Sequence, residues 1–330
     1  MRQIELHGNH YEIGYTQGKS YRKNIGEAPH FNNKQKKFAK RVQQKISPLF
    51  PEILQEIQGF AEGGNFSFED ILTFTLTVGN TPGCTVFAIS GENTFDHKTI
   101  FARNYDGPEY VKDFELIKTY PIGYYSHIGC LTDLILGRED GINDKGLAVA
   151  YAGVHGKYNE SPGVWDHIAI RAVLEKCANT YEAIKLLEKI PHLYSKNFIV
   201  ADSSNQIAII EASQQKIKVT QSQNGFGVIT NHFISESMTQ YNDDANKMYK
   251  TYERRKNVIR WFETTASPIS ITQIISILND PDNGCLSNKV RVNDEQSFLT
   301  LWSWIACIGD HEILLSEGAP ISGYYDTFFI

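Results

Sequence analysis

The sequence predicts an α+β fold in which a mainly helical N-terminal segment precedes a body of antiparallel strands. In residues 1–83, apolar side chains recur at three- and four-residue intervals, which is typical of amphipathic helices. After residue 83, short runs of β-favouring residues alternate with turn-forming residues. Strands and helices occur in separate blocks, and this grouping favours layered packing over a parallel βαβ sheet.

The N-terminal segment is predicted to contain at least three helices. Pro48 and Pro51 mark a break between two of them, because proline interrupts the helical hydrogen-bond ladder. Ser67 is placed to cap a further helix, with Asp70 completing a Ser-x-x-Asp capping box. The helices would present one apolar face, which requires a partner. The residues on that face are Phe38, Val42, Ile46, Leu49, Phe50, Ile53, Leu54 and Ile57.

The remainder of the chain is predicted to alternate between blocks of strands and pairs of helices. The predicted strands cover residues 84–89, 99–106, 114–120, 127–136, 146–153, 197–201, 206–212, 216–221, 227–233, 299–308 and 312–316. The predicted helices cover residues 164–177, 179–190, 246–265 and 269–278. The first two strands would form a β-hairpin, and the helices would lie on sheet faces.

Composition excludes several classes of function. The 330 residues are 41% hydrophobic, which is ample for a core, and their net charge of −6 gives no general attraction for nucleic acid. No apolar run approaches the about 18 residues of a membrane span, and no secretory apolar segment is evident. We therefore expect a cytoplasmic protein without nucleic-acid or membrane partners. Homo-oligomerisation is left open.

Metal and cofactor chemistry is not predicted. The five cysteines are an odd, widely spaced set without a CxxC pair, which suits a reducing compartment better than a disulfide scaffold. There is no HExxH motif, and neither GxGxxG nor GxxxxGK[ST] opens a helix after a strand. We expect no metal and no cofactor.

The candidate function centres on a turn at residues 80–83 that leads into a strand at Cys84. Pro82 fixes its own φ and Gly83 admits unusual φ values, so strain can collect at the Gly83–Cys84 peptide. The Cys84 thiol can attack the Gly83 carbonyl, and water can then hydrolyse the resulting thioester. The α-amine so released has a reference pKa of roughly 7.7 to 8.0 and can accept the proton of its own thiol. The alternative is that Cys84 is a small buried hydrophobe.

Several motifs resemble those of a known group. Gly83-Cys84-Thr85 followed by Arg103-Asn104-Tyr105-Asp106 resembles the N-terminal-nucleophile hydrolases of the choloylglycine hydrolase and penicillin V acylase superfamily. The resemblance is closer to the isopenicillin N acyltransferase (acyl-CoA:6-aminopenicillanic acid acyltransferase) family. Further matching segments are residues 8–18, 140–147, 227–232 and 300–318.

This resemblance implies a four-layer αββα sandwich. It also implies that residues 1–83 are a helical propeptide, retained as a separate chain beside a catalytic chain of residues 84–330, the two forming one structural domain. Arg103 would stabilise the Cys84 thiolate, and Asp106 would hold the α-amine. Asp106 lies three residues after Arg103, so on a regular strand their side chains face opposite ways. From pattern alone, an ordinary structural ion pair is the alternative role for each.

The resemblance also suggests groups that stabilise the oxyanion of acyl transfer. Asn231 follows a predicted strand and matches the family asparagine whose side-chain amide is a donor; an Asx turn ending the strand is the alternative. A backbone N–H near Gly153 would be the second donor, at a position where relatives often have asparagine or tyrosine. A late family arginine falls on Arg254, although Arg255 is an equal rival by pattern and a solvated helix face is the alternative.

The sequence thus predicts a self-processing cysteine amidohydrolase or acyltransferase that cleaves its own Gly83–Cys84 bond. Its substrates would be linear N-acyl amides or acyl thioesters such as acyl-CoA, handled through an acyl-Cys84 intermediate. Two alternatives remain. A papain-like hydrolase would use unprocessed Cys84 with a separate base such as His232, and a binding protein would use neither.

Overall fold

The computed structural model describes residues 1–79, 83–108, 111, 114–132, 135–156, 161–243, 250–282, 285, 290–291, 297–321 and 323–330. The helices within these residues are α1 His10–Asn24, α2 Asn33–Ile46, α3 Glu52–Gly64, α4 Phe68–Thr77, α5 Asp166–Lys176, α6 Thr180–Lys189, α7 Glu236–Thr239, α8 Thr251–Thr264 and α9 Ile271–Asn279. None of these described helices has the length and apolarity needed to cross a membrane.

Fifteen strands are present within the described residues. They are β1 Arg2–Gly8, β2 Gly83–Ile89, β3 Ile100–Pro108, β4 Glu115–Pro121, β5 His127–Leu131, β6 Asp140–Asn143, β7 Leu147–Gly153, β8 Lys196–Asp202, β9 Ile207–Ala212, β10 Ile217–Gln221, β11 Phe226–Ile229, β12 Val290–Arg291, β13 Ser297–Cys307, β14 Glu312–Glu317 and β15 Asp326–Phe329.

The strands form two sheets. The first has the order β1-β4-β5-β6-β7-β8-β9-β10, and the second has the order β11-β2-β3-β13-β14-β15 with β12 paired to β13. Among the strand pairs of the described residues, β1 and β4 are parallel and the others are antiparallel. The expected α+β class is confirmed.

The two sheets stack face to face between two layers of helices. Along β7, Leu147 and Val149 pack towards α2–α6, whereas Ala148 and Ala150 pack against the second sheet. This alternation follows from the two-residue period of a strand, and it makes β7 apolar on both faces. On the outer face of the second sheet, Phe87 packs against α8 and α9. The order of layers is the expected αββα sandwich.

The strand β1 was not expected within the mainly helical segment. Only two of its side chains turn inward: Leu6 is buried and Ile4 is half-buried. So short an alternation is weak evidence for a strand on its own, because pairing with a partner supplies most of the stabilisation. That partner is β4, more than a hundred residues later, with Arg2 opposite Glu115.

The local signals located most element boundaries to within a few residues. Ser67 caps α4 as expected, its hydroxyl accepting from the Asp70 N–H at 3.4 Å. The capping box is incomplete, because the Asp70 carboxylate binds the Phe31 N–H and the Lys36 ammonium instead. The predicted strands 127–136 and 227–233 end earlier, at Leu131 and Ile229. Part of the predicted helix 246–265 lies outside the described residues.

A buried charge cluster joins the N-terminal helices to α5. Arg171 binds Glu56 of α3 at 3.0 Å and Glu175 at 2.6 Å, and His10 of α1 binds Glu175 at 2.8 Å. Burial alone would raise the pKa of Glu175, but Arg171 and His10 lower it to about 2. Because the cluster is excluded from water, each member depends on its partners for compensation.

We expect Glu56→Ala to lower the free energy of unfolding by about 3–5 kcal/mol, because it leaves a buried guanidinium short of one carboxylate. Denaturant unfolding should be compared in a Cys84→Ala background, which excludes the cleavage expected at Gly83–Cys84. Glu62→Ala, on the exposed face of the same helix, is the matched control and should shift the midpoint little. Equal shifts for the two variants would contradict the importance of the cluster.

Candidate active site

Cys84 lies at the start of a fully buried hairpin strand. In the β2–β3 pairing, Cys84 is opposite Tyr105 and Gly83 is opposite Asp106, which confirms the expected hairpin. The Cys84 side chain has 0% exposure. Asn80, Thr81 and Pro82, on which the expected turn falls, lie outside the described residues.

The thiol of Cys84 contacts a fixed cation. Nη2 of Arg103 lies 2.8 Å from Cys84 Sγ. The same guanidinium donates from Nη1 to the Asp140 carboxylate at 2.8 Å and to the Glu139 carbonyl at 3.0 Å. A fourth contact, at 3.3 Å, goes to the carbonyl of Tyr151. These contacts hold the guanidinium against the sulfur.

Burial, rather than this cation, dominates the ionisation of the thiol. Loss of water raises the pKa of Cys84 to about 12, while Arg103 acts in the opposite direction. Arg103 acts to lower the pKa of the thiol, but desolvation outweighs it. The thiol is protonated at neutral pH in the intact chain.

Asn231 binds the backbone of Cys84. Its Oδ1 accepts from the Cys84 N–H at 2.9 Å, and its Nδ2 donates to the Gly153 carbonyl at 2.8 Å. The structure therefore brings Asn231, Gly153 and Cys84 together. The contact to Gly153 uses its carbonyl oxygen, whereas the expected oxyanion donor is a backbone N–H.

Arg254 completes the contacts to the Cys84 backbone. Its Nη1 donates to the Cys84 carbonyl at 2.7 Å and to the Thr85 hydroxyl at 2.5 Å, and its Nη2 donates to Asn231 Oδ1 at 2.8 Å. Consecutive helical residues point about 100° apart. Arg255 consequently points away from these groups and lines a groove beside β11. Geometry thus separates the two arginines that the pattern could not.

Asp106 reaches the site from the opposite face of β3. Its Oδ1 accepts from the Thr300 hydroxyl at 2.6 Å, and its Oδ2 lies 3.9 Å from Arg254 Nη1. Arg103, by contrast, points between the sheets, where it meets the Cys84 thiol. The expected opposition of the two side chains is confirmed: Arg103 contacts the Cys84 thiol, whereas Asp106 contacts Thr300 and lies near Arg254.

His232 is held away from the thiol. Its Nδ1 lies 2.9 Å from the Thr251 hydroxyl and 3.2 Å from the Thr230 hydroxyl, and its ring packs on Tyr252 at 4.0 Å. Burial lowers the pKa of His232 to about 4, and the nearby arginines act in the same direction. Within the described residues, no hydrogen bond joins His232 to Cys84.

Two further residues support the site without having been assigned a role from the sequence. Asp140 fixes Arg103 and also accepts from Trp302 Nε1 at 3.3 Å. Thr251 accepts from the Asn231 N–H at 2.7 Å. Asp140 lies in the matching segment 140–147, but its contact to Arg103 spans 37 positions and leaves no local signal. Across the described part of the chain, no three His, Cys, Asp or Glu side chains are grouped to hold a metal ion.

Comparison with known proteins shows that most of this sequence matches one protein family. Residues 93–321 match the family model described as acyl-coenzyme A:6-aminopenicillanic acid acyl-transferase. The matched region includes Arg103, Asp106, Asn231 and Arg254, while Cys84 precedes it.

Solved structures share the fold at low sequence identity. A variant of the conjugated bile acid hydrolase from Clostridium perfringens is 16% identical, with a TM-score of 0.56 over 74% of this chain and 92% of that chain. Penicillin V acylase from Agrobacterium tumefaciens is 17% identical, with a TM-score of 0.51 over 71% of this chain and 83% of that chain. Both confirm the layered architecture.

We expect Arg254→Met to destabilise the Cys84→Ala chain by about 2–4 kcal/mol, because the Cys84 carbonyl and the Asn231 amide oxygen would lose a buried donor. The measurement is denaturant unfolding at neutral pH. Arg260→Met removes an exposed arginine from the same helix and should leave the midpoint nearly unchanged. A small effect of Arg254→Met would mean that these contacts contribute little to the site.

Proposed function

Because the chain belongs to the acyl-coenzyme A:6-aminopenicillanic acid acyl-transferase family, we propose that it is a self-processing cysteine enzyme of the N-terminal-nucleophile class. Cleavage at Gly83–Cys84 would yield a helical small chain, residues 1–83, and a catalytic chain, residues 84–330. The observation that carries the proposal is the division of contacts at Cys84: Arg103 binds its sulfur, and Asn231 binds its backbone nitrogen.

The cleavage would proceed by an N-to-S acyl shift. The Cys84 sulfur attacks the Gly83 carbonyl carbon, a C–S bond forms, and the C–N bond to Cys84 breaks as its nitrogen gains a proton. Water then hydrolyses the thioester, which leaves a carboxylate on Gly83 and a free thiol and amine on Cys84. Asn231 supports this step, because its Oδ1 already accepts a hydrogen bond from the nitrogen that must leave.

The small chain would stay associated after cleavage. Its helices pack on α5 and on β7 and β8 in one apolar core, and the buried pairs Glu56–Arg171 and His10–Glu175 cross the same interface. Breaking either pair would leave an uncompensated buried charge. The propeptide is therefore a structural partner of the catalytic chain.

In turnover, the new α-amine of Cys84 would serve as the base for its own thiol, and Asp106 would orient that amine. The acyl-Cys84 intermediate would form from a linear N-acyl amide or an acyl thioester, and its acyl group would pass to water or to an amine. Asn231 and a backbone N–H near Gly153 would stabilise the oxyanion. The family name supports an acyl-CoA-like or N-acyl amide donor.

The first test is intact-mass analysis of the wild-type chain, Cys84→Ala and His232→Gln. We expect the wild type and His232→Gln to separate into two fragments that end at Gly83 and begin at Cys84, while Cys84→Ala stays whole. The reason is that the thiol supplies the attacking atom and His232 is bound by other groups. A whole, folded and active wild-type chain that loses activity with His232→Gln would instead identify a papain-like hydrolase.

The rate of self-cleavage should rise with pH. Burial raises the pKa of the Cys84 thiol to about 12, so the thiolate is a minor species near neutrality. Its fraction grows about tenfold per pH unit below that pKa. Chain made by a short pulse of cell-free translation can be shifted to buffers between about pH 6 and pH 8, and cleavage followed by mass. A flat profile would show that thiol ionisation does not limit the reaction.

A further inference from the structure

A groove of about 300 Å³ runs along the outer edge of β11, where the two sheets end beside α8. Apolar side chains from β9, β11 and α8 line one part of it, and polar side chains of residues 220–224, with Arg255 and Glu263, line the rest. The apolar side chains include Ile207, Ile209, Phe226, Val228, Ile259 and Phe262. Cys84, Asn231 and Arg254 do not line it, so the groove is distinct from the candidate active site.

One face of α8 forms a wall with a charged end and an apolar end. Arg255, Ile259 and Phe262 follow a spacing of four and three residues, which places them on the same side of a helix. At a rise of about 1.5 Å per residue, Arg255 and Phe262 lie about 10 Å apart along the axis. The ring of Phe262 is stacked on Phe226 with centroids 4.1 Å apart, which closes the apolar end.

Arg255 brings a positive charge that has no ion-pair partner among the residues that the structure describes. The side chain is half-buried, and its Nε has no hydrogen-bond partner. Within the described residues no carboxylate forms an ion pair with it. Glu211 is the acid that acts on it, but that carboxylate already accepts from the Ile234 and Ser235 N–H groups at 2.6 and 3.1 Å. A partly desolvated guanidinium without a close counter-ion favours an anion.

The nearby acids restrict what the anion can be. Glu211 lies near the guanidinium, and Glu263 lines the groove at the Phe262 end. A dianionic head such as a phosphate monoester would meet more repulsion from Glu211 than a monoanion would. Glu263 disfavours any anion at the far end, so the head group is directed to Arg255 and the tail towards Phe262.

We propose that this groove binds an amphiphilic monocarboxylate, with its head on Arg255 and a medium-length alkyl chain between α8 and the strands β9 and β11. The site does not depend on the proposed cysteine chemistry. It lies on the helix that also carries Arg254, one residue from the contact to the Cys84 carbonyl.

The test is isothermal titration calorimetry of the wild-type protein with decanoate and with its uncharged counterpart, decan-1-ol. We expect the affinity for decanoate to be at least about tenfold higher than the affinity for decan-1-ol, because only the carboxylate can pair with the guanidinium. Arg255→Met should weaken decanoate binding by about the same factor and leave decan-1-ol binding unchanged. Arg260→Met removes the same charge from an exposed position of α8 and should bind decanoate as the wild type does.

Three results would overturn the proposal. They are a lack of decanoate binding to the wild type, equal binding of decan-1-ol to the wild type, and full affinity of Arg255→Met for decanoate. An equal loss in Arg260→Met and Arg255→Met would also count against it, since this would indicate general charge attraction. If a variant does not fold, the affinities of the wild type for decanoate and for decan-1-ol still test the proposal. None of these readouts depends on self-cleavage.

Discussion

The candidate site depends on one buried cation that bridges the two sheets. Arg103 belongs to β3 of the second sheet, whereas Asp140 and Tyr151, which hold its guanidinium, belong to β6 and β7 of the first. The Arg103 side chain has 0% exposure, so it is surrounded by protein groups instead of water. The position of the cation at the Cys84 sulfur is therefore set by how the two sheets stack, and a shift of one sheet would displace it.

The pleat of β2 and β3 explains how one residue can receive two kinds of partner. Side chains alternate across a strand, so the Cys84 thiol and Arg103 meet between the sheets while Thr85 and Asp106 point towards α8. Arg254 and Asn231 then bind the carbonyl and the nitrogen of Cys84. Sulfur and backbone are thus held by separate groups.

Local signals predicted much of this architecture. The β2–β3 hairpin, the Ser67 cap of α4 and the proline break before α3 each depend on residues close together in sequence. The parallel pairing of β1 with β4 could not be predicted this way, because neither strand specifies its partner.

The same distinction applies within the site. Cys84, Arg103 and Asn231 could be singled out from motifs, and the structure brings them together. The support of Arg103 by Asp140 spans 37 positions, and the choice between Arg254 and Arg255 depends on the rotation of α8 against β2. The use of the Gly153 carbonyl, rather than its N–H, likewise follows from where Asn231 lies. Each of these is a tertiary contact that no local pattern encodes.

Burial of Cys84 links the ionisation of its thiol to the folded state. In an unfolded chain the Cys84 thiol would ionise near its reference pKa of about 8.5, but it would have no fixed cation and no oriented carbonyl. Folding raises the pKa of the thiol to about 12 and at the same time supplies Arg103 at 2.8 Å. The fold therefore exchanges easy ionisation for fixed geometry, because positioned groups react more effectively than free ones. The same stacking of the two sheets both buries the Cys84 sulfur and brings the guanidinium to it.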